Sequence, residues 1–317
     1  MDRIDAMKVF IATLDEGSLA GASRRLLRSP AAISRAIAFL EAHVGVELLH
    51  RTTRTIRLSE PGERYAVACR RILTELEEAD ILAVGEKSAP RGVLTISAPP
   101  ISGEDILRPI IDDFLDAYPS VSIRLLLLDR TVNLVEEGVD VTLRVAQLPD
   151  SSLIATKVGS EVRRVVAASP EYLRSRGKIE QPSDLAAHDI VAFTNFGLDS
   201  WVFAPAPGSS ISRTVHFTPR LTVNSVRAAK GSAIRGRGLT RLYSYHVAEE
   251  VRDGKLKVVL ADAEYPALPV HLLTPPGRVS MPKVRAFLDF AAPRLRAEFG
   301  RLANEARGLS SFEYSEQ

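Results

Sequence analysis

The chain has 317 residues, of which 45% are hydrophobic and 25% are charged, and its formal net charge is +2. These values are typical of a globular chain of two or three domains, and they exclude a collagen-like, disordered or disulfide-rich protein. The single cysteine, Cys69, also excludes a cysteine-rich zinc site. We expect it to be a small buried hydrophobe, with a redox sensor as the alternative.

We expect neither a membrane span nor a secretion signal in this sequence. The N-terminus mixes acidic residues into a short apolar pattern, and no apolar run is long enough for a membrane span. We therefore expect a cytoplasmic protein that does not contact the membrane.

Three short helices are predicted in the first 45 residues. Apolar residues recur at helical spacing from Met7 to Leu14. Ser18 can cap a second helix, and Ser29 followed by Pro30 can begin a third. Proline suits the first helical position because its missing N–H would have no partner there.

The third predicted helix, in "RSPAAISRAIAFLE", has small side chains on its outer face. Arg35 points away from the core, with Ser34 at its side. A helix in the major groove needs small residues near the sugar-phosphate walls and one long donor that reaches a base edge. A packed helix with an alanine-rich exterior is the alternative, because alanine is the best helix former. The outer face holds Ala31, Ala38 and Ala42, and the inner stripe holds Ile33, Ile37, Leu40 and Val44.

Positive charge is concentrated around this helix. Between positions 24 and 57 there are seven arginines and two glutamates. The segment "GVELLHRTTRTIRLSEPGE" alternates as a short hairpin that carries Arg51, Arg54 and Arg57. A basic β-wing beside a recognition helix would bind the DNA backbone or minor groove, whereas an isolated arginine run is more often a solvated face.

A long helix is predicted from Glu63 to about Glu86. Its apolar residues are separated by gaps of four and three, which is the spacing of a coiled-coil seam. A helix packed inside the chain is the alternative. The segment from Lys87 to Gly92 reads as a hinge. The seam consists of Tyr65, Cys69, Ile72, Leu76, Ala79 and Ala83.

Beyond the hinge, strand and helix patterns alternate, which predicts a parallel sheet covered by helices. "GVLTISA" and "VDVTLRV" read as strands, "VSIRLLLLD" as a fully buried strand and "NLVEEG" as a helical turn. Ligands in such sheets bind beyond the carboxyl ends of strands, which points to the residues from Ser97 to Ser102.

Catalytic motifs are missing from the sequence. The six histidines are scattered without metal-ligand spacing, and no P-loop or nucleophile elbow is present. An enzyme on a two-lobed fold is therefore disfavoured, and we expect no cofactor and no metal.

Residues 1 to about 62 resemble the winged helix-turn-helix of LysR-type transcriptional regulators. The matching pieces are "EGSLAGASRRL", "SPAAISRAIAFLE" and "VGVELLHRTTRTIRLSEPGE". One departure is that Pro30 stands where the family often has glutamine, so any base contact made by that glutamine is absent. The C-terminal segments resemble the family's effector domain, which has a periplasmic-binding-protein-like fold of type 2.

The resemblance implies an α/β protein with four parts. These are an N-terminal all-α winged helix-turn-helix at 1–62, a linker helix with a hinge at 63–89, a two-lobed α/β domain at 90–305 and a flexible tail at 306–317. Lobe I would comprise about 91–161 and 266–305, and lobe II about 162–265, with a ligand cleft between them.

The resemblance also implies roles for individual residues. DNA-binding residues would be Ser29, Pro30, Ala31, Ser34, Arg35, Arg51, Thr52, Thr53 and Arg54. Effector-binding residues would be Ser97, Pro99, Ile101, Val145, Phe193, Asn224, Ser225 and Thr240. Dimerisation would use Tyr65, Cys69, Ile72, Leu76 and Ala79.

The implied partners are double-stranded promoter or operator DNA, a small-molecule effector and further copies of the chain in a dimer or tetramer, with RNA polymerase as a further candidate. Lys230 and Arg235 interrupt a helix that the family makes apolar. We expect them to extend to solvent, with attraction of an anionic effector by Lys230 as the alternative. The rival function is a small-molecule-binding protein of this fold without DNA readout.

Overall fold

The computed structural model describes residues 2–51, 56–84, 89–148 and 151–307. The N-terminal unit consists of three helices followed by an antiparallel hairpin, in which Leu49 pairs with Leu58 and Arg51 with Ile56. The elements are α1 (Arg3–Asp15), α2 (Leu19–Leu26), α3 (Pro30–Val44), β1 (Leu49–Arg51) and β2 (Ile56–Leu58).

Side-chain caps fix where the helices begin, as the sequence predicts. The Ser18 hydroxyl accepts a hydrogen bond from the Gly21 N–H at 3.0 Å, and the Ser29 hydroxyl accepts one from the Ala32 N–H at 3.2 Å. Each cap satisfies an N–H that has no partner within the helix. Leu27 ends α2 with a φ of 52°, and this left-handed residue makes the tight turn between α2 and α3.

A long helix, α4 (Glu60–Val84), follows the hairpin and packs against α1. Its first turn lies directly on the backbone of the wing. The Ser59 hydroxyl donates to the Glu47 carbonyl at 2.6 Å and accepts from the Gly62 N–H at 3.0 Å. The start of α4 is therefore fixed to the wing.

Lobe I is a five-stranded sheet in the order β4-β3-β5-β14-β6. Strands β3, β4 and β5 are parallel, whereas β14 runs antiparallel to β5 and β6. The sheet that the sequence predicts as parallel is therefore mixed. The elements are β3 (Gly92–Ala98), a π-helical segment (Ser102–Leu107), α5 (Arg108–Ala117), β4 (Val121–Leu127), β5 (Val141–Val145), β6 (Ile154–Val162) and β14 (Leu268–Thr274).

Lobe II is built around β7, which pairs antiparallel with β12 and β13. A parallel bridge between Ile190 and Leu239 joins this sheet to the parallel pair of β8 and β11, and β9 and β10 form a separate antiparallel pair. The elements are β7 (Arg164–Ala168), α6 (Pro170–Ser175), β8 (Val191–Phe193), β9 (Ser200–Phe203), β10 (Arg213–His216), β11 (Leu221–Val223), α7 (Val226–Ile234), β12 (Thr240–Tyr243), α8 (Ser244–Arg252) and β13 (Lys257–Val259).

Two connecting segments join the lobes. The first is Arg163 between β6 and β7, and the second leads from β13 to β14 through Glu264 and Tyr265. The last helix, α9 (Pro282–Arg307), crosses from one lobe to the other. Phe287, Ala291 and Phe299 lie in the core of lobe I, and Ala306 lies in a core of lobe II.

Three sequence predictions need correction here. The tail does not begin at Ala306, because that residue is 2% exposed within α9; residues 308–317 lie outside the described residues. Strand β4 is only partly buried, because it is an edge strand. Val44 is 36% exposed because it is the last residue of α3.

The structure also bears on one predicted turn and on the hinge. The "NLVEEG" segment forms a turn, as predicted. Of the hinge, only residues 89–92 are described. Within the described ranges, none of the helices has the length and apolar character that a membrane span requires.

We expect Gly62→Ala to destabilise the N-terminal unit. A Cβ atom at position 62 would lie 2.0 Å from the Leu48 carbonyl oxygen, so the wing and α4 would have to separate. The cost is about 1–3 kcal/mol in the free energy of unfolding. Urea unfolding followed by circular dichroism measures this change.

Gly231→Ala is the matched control for this substitution. Gly231 is also helical, but a Cβ atom added there would meet open space within 4 Å. Alanine there is expected to stabilise α7 by about 0.5–1 kcal/mol. Equal destabilisation by both variants would show that the contact with Leu48 does not matter.

Candidate functional site

The outer face of α3 is exposed as predicted. Arg35 is exposed, and so are the three alanines of the same face, Ala31, Ala38 and Ala42. The inner face is fully buried in the N-terminal core by Ile33, Ala36, Ile37 and Leu40. Because these side chains are small, another molecule can approach the helix backbone closely. The longer side chain of Arg35 projects beyond them.

The N-terminus of α3 lies next to this face. Ser29 and Pro30 are both exposed, and Ser34 is partly exposed. The Ser29 oxygen caps the helix, which leaves the hydroxyl hydrogen able to donate to an oxyanion. The exposed start of a helix attracts negative charge through its free N–H groups and its dipole.

Glu41 fixes the wing relative to α3. One of its carboxylate oxygens accepts hydrogen bonds from the Leu48 and Leu49 N–H groups, at 3.0 and 3.1 Å. Arg57 and His50 are exposed on the paired strands. Arg51 lies in β1, whereas Thr52, Thr53 and Arg54 lie outside the described residues.

Two arginines of the basic segment have internal partners, which the charge count did not reveal. The Arg28 guanidinium donates to both oxygens of Asp5 at 2.7 Å, and this contact lowers the pKa of Asp5. Arg25 donates to Asp15 at 3.3 Å. Arg25 lies in α2 and Arg28 lies just after it, so the two pairs link this region to α1 and compensate these charges within the fold.

The predicted seam of α4 is divided between two environments. Cys69 is fully buried in the N-terminal core, and Tyr65 packs on Phe10 with ring centroids 6.1 Å apart. Both side chains pack in the core of their own chain. They are therefore not available to a partner helix, which corrects their assignment to the dimer seam. Ile72 and Ala79 are exposed, and Leu76 is partly buried. The side chain of Ala83 lies outside the described part of the chain.

The burial of Cys69 also decides its chemistry. Burial raises the pKa of its thiol to about 11, so the thiolate is scarce at neutral pH and the residue is unreactive. The expectation of a small buried hydrophobe is therefore favoured over that of a redox sensor.

A cleft of about 420 Å³ lies between the two lobes. Lobe I contributes the carboxyl ends of β3, β4 and β5, where ligands bind in open α/β sheets. Lobe II contributes aromatic rings, with the Phe196 and Tyr243 centroids 4.8 Å apart in an edge-to-face arrangement. The lining includes Ser97, Pro99, Ile101, Asp129, Arg130, Thr131, Thr142, Arg144, Val145, Phe193, Asn195, Phe196, Val226, Tyr243 and His246.

Five of the predicted effector residues line this cleft, and three do not. Asn224 and Ser225 lie beside it, in a smaller cavity of about 150 Å³. Thr240 is wrong as a lining residue because it is fully buried within β12, where it pairs with Ala167. The five lining residues are Ser97, Pro99, Ile101, Val145 and Phe193.

Sequence reasoning missed the polar groups that shape the cleft. The Ser97 hydroxyl donates to the Thr142 hydroxyl at 2.7 Å, and the Arg144 guanidinium donates to the Thr131 hydroxyl at 2.7 Å. The available signal was the pattern of the strand within "VDVTLRV", because Thr142 and Arg144 alternate there with apolar residues.

Several hydrogen bonds connect the lobes at the cleft. The Asn195 amide donates to the Asp129 carbonyl at 2.8 Å, and the Tyr243 hydroxyl donates to the Val145 carbonyl at 3.2 Å. At the rim, Arg227 on α7 donates to Glu104 of lobe I at 2.8 Å. These polar contacts hold the lobes together along with apolar packing between them.

The charges in the cleft are partly compensated. Arg130 donates to both oxygens of Glu137, at 2.7 and 2.6 Å. Burial raises the pKa of Asp129. Burial, together with the nearby charge of Lys230, lowers the pKa of His246 to about 3, so this histidine is neutral at physiological pH. The Nζ atom of Lys230 lies 2.5 Å from the Oε1 atom of Glu250, and this ion pair compensates the charge of Lys230.

The described residues contain no cluster of histidine, cysteine and acidic side chains that could hold a metal ion. The two surfaces are instead an exposed helix face beside a basic hairpin and a cleft between two lobes. A winged helix-turn-helix joined by a long helix to a two-lobed α/β domain defines a class of regulatory DNA-binding protein.

Two family models match the chain. Residues 4–63 match the bacterial regulatory helix-turn-helix protein of the lysR family, and residues 87–296 match the LysR substrate binding domain. The chain belongs to the LysR family of transcriptional regulators, as its sequence motifs indicated.

Relatives and solved structures agree with this assignment. A transcriptional regulator of Xanthomonas campestris is 34% identical over 90% of this chain and 84% of its own length. The regulator CrgA of Neisseria meningitidis is 30% identical, and its structure covers 92% of this chain and 98% of its own with a TM-score of 0.57. The full-length Vibrio cholerae virulence activator AphB is 27% identical, with a TM-score of 0.61 over 92% of this chain and 98% of its own.

We expect His246 to make stability depend on pH. Its pKa is about 3 in the folded chain and about 6.5 when unfolded, so the unfolded chain binds more protons between these values. Stability is therefore lost as pH falls below about 6.5, by up to about 1.4 kcal/mol per pH unit. His246→Asn, which keeps an acceptor for the Tyr243 N–H, should flatten this dependence.

Urea unfolding between pH 7 and pH 5 measures the effect. His43→Asn is the control, because His43 is exposed at the end of α3. The same pH slope in wild type and His246→Asn would contradict a neutral buried His246.

Proposed function

We propose that this chain is a sequence-specific regulator of transcription, controlled by a small-molecule effector that binds between the lobes of its C-terminal domain. The observation that carries the DNA-binding part is the exposed face of α3, where one arginine stands among alanines beside a basic wing. The observation that carries the effector part is the cleft lined by both lobes. Family membership supports both parts.

In this proposal α3 enters the major groove of DNA. Arg35 donates two hydrogen bonds to the O6 and N7 atoms of a guanine, with Ser34 beside it. Ala31 and Pro30 approach the base edges, and Ser29 binds a phosphate at the helix N-terminus. The wing residues Arg51, Thr52, Thr53 and Arg54 would contact the backbone or minor groove.

We propose that two copies of the chain pair through α4. Two-fold symmetric readers contact two half-sites one helical turn apart, so each dimer presents two α3 helices. The exposed Ile72 and Ala79 are the seam residues that remain available to a partner helix. Leu76 lines the space between α4 and lobe I, so it is not placed in the proposed seam.

Effector control would act through lobe closure. A molecule in the cleft touches both lobes, and it stabilises whichever lobe arrangement gives it more contacts. The hydrogen bonds from Asn195 to Asp129 and from Tyr243 to Val145 would then form or break with occupancy. Different lobe arrangements would place the two DNA-reading helices at different separations, and DNA affinity would change accordingly.

Arg35→Ala is expected to weaken binding to the preferred DNA site by about 10- to 100-fold and to remove the preference for one guanine per half-site. The preferred site is first selected from a random DNA pool. Fluorescence anisotropy across a salt series then compares that site with random DNA.

Arg108→Ala is the control for this measurement. Arg108 is exposed on α5 of lobe I, and its ion pair is with Asp112 on the same helix. Its removal should leave both affinity and salt dependence unchanged. If wild-type protein bound no fragment better than random DNA at low salt, the rival function, small-molecule binding without DNA readout, would replace this proposal.

Compounds that bind in the cleft should depend on Arg144 for their affinity. We expect a screen for molecules that raise the unfolding temperature to give compounds that also change DNA affinity. Arg144→Met removes the guanidinium that reaches Thr131, and these compounds should lose about 10-fold or more in affinity.

Arg296→Met is the matched control, because Arg296 lines a separate groove between β6 and α9. Compounds that keep their effect in Arg144→Met and lose it in Arg296→Met would place the effector site outside the cleft.

A further inference from the structure

A group of charged side chains lies where the two connecting segments meet lobe II. Arg163 and Arg164 come from the first segment and the start of β7. Glu264 and Tyr265 come from the second segment, which leads back to lobe I. Arg241 comes from β12, the strand beside β7. The group therefore joins both connections between the lobes to the sheet of lobe II.

Arg241 is buried without a hydrogen-bonding partner for most of its guanidinium. The residue is 3% exposed, and neither its Nε nor one of its terminal nitrogens, Nη2, has a partner among the described residues. Its guanidinium carbon lies 4.8 Å from the centre of the Phe203 ring, so the ring covers one face of the group. A ring contact satisfies the face of a guanidinium but leaves the N–H groups at its edge unpaired.

Arg164 lies on the same side of the sheet. Arg241 pairs with Val166 and Tyr243 pairs with Arg164, so all four side chains project from one face. The Nε of Arg164 is also buried without a partner within the described chain. Burial, with the nearby charge of Arg164 adding to it and the charge of Glu264 opposing it, lowers the pKa of Arg241 to about 10, so Arg241 remains charged at neutral pH.

The nearest carboxylate is already occupied by another arginine. Arg163 donates to both oxygens of Glu264, at 2.7 and 2.8 Å, and it donates to the Ala306 carbonyl at 2.8 Å. Glu264 therefore forms its ion pair with Arg163, and its charge attracts Arg241 only from a longer distance. In the part of the chain that the structure describes, no carboxylate forms an ion pair with Arg164 or Arg241. A buried charge without such a partner is strongly destabilising.

We propose that Arg241 and Arg164 form an anion site at the junction of the two lobes, and that its occupant is a compact monoanion of chloride size. The unpaired N–H groups supply the donors, and charge-assisted hydrogen bonds to an anion are stronger than neutral ones. Because Arg241 is almost completely enclosed, the proposal is restricted to an ion that is small and carries one negative charge. Arg164 is partly exposed, which gives the ion a route from solvent.

The position of the site gives the ion a structural role. Arg164 directly follows Arg163, and Arg163 is bonded to the second connecting segment and to α9. An anion held by Arg164 and Arg241 therefore links the start of β7 to β12. This is the point where the first connecting segment enters lobe II. This site is separate from the cleft, since neither arginine lines that cavity.

Bromide, which replaces chloride and scatters anomalously, tests the site directly. Crystals of the full chain grown in sodium bromide should show an anomalous peak within hydrogen-bonding distance of the Nε and Nη2 atoms of Arg241. The same crystals of Arg241→Leu should lack this peak. Bromide peaks found only on the protein surface would overturn the proposal.

A solution measurement gives an independent test. Chloride should raise the unfolding temperature of the wild-type chain saturably, by about 3 °C, when it replaces gluconate at constant ionic strength. Arg241→Leu and Arg164→Leu should each abolish this dependence, so the result does not rest on one variant folding well. Arg220→Leu, which removes an exposed lobe II arginine, should keep it. Equal chloride dependence in all four proteins would contradict a specific site.

Discussion

The geometry of the cleft depends on the contacts that hold lobe II against lobe I. Two connecting segments join the lobes covalently, helix α9 packs against both lobes, and a small set of hydrogen bonds closes the remaining gap. The Asn195 amide reaches the Asp129 carbonyl, and the Tyr243 hydroxyl reaches the Val145 carbonyl. Because each such bond contributes only about 0.5–1.5 kcal/mol, a ligand that adds a few contacts can shift the balance between lobe arrangements. In the proposed function, the same contacts would hold the resting structure and respond to an effector.

The N-terminal unit is built in the opposite way. Its helix α3 is fixed on the inner face by apolar packing, at its start by the Ser29 cap and at its end by Glu41, which holds the wing. This rigidity matters because base readout requires donors placed to within a fraction of an ångström. In the proposed function, DNA readout and effector binding would therefore be divided between a rigid N-terminal unit and a C-terminal domain whose lobes can rearrange.

Local signals predicted the N-terminal unit well. The caps at Ser18 and Ser29 could be predicted because each interaction joins residues only three positions apart, and the hairpin follows from alternation along one segment. The dimer seam was harder to assign, because α4 has apolar residues on more than one face. Its spacing alone could not show that Cys69 faces the core while Ile72 faces outward. Ala306 was missed because the end of α9 is rich in charge, although one small residue still packs into lobe II.

The cleft was predicted in position but only partly in composition. Residues directly after a strand, such as Ser97 and Pro99, follow from the general rule for α/β sheets. Tyr243 and His246 reach the cleft from a strand and helix about a hundred residues further along the chain, so no local pattern could place them there. Thr240 was assigned by position in the family and lies on a buried strand instead.

The central claim remains that Arg35 reads a guanine in the major groove, and dimethyl sulfate interference tests it most directly. Methylation of one guanine N7 per half-site should block binding of the wild-type protein and have no effect on binding of Arg35→Ala. An identical interference pattern for both proteins would contradict the account.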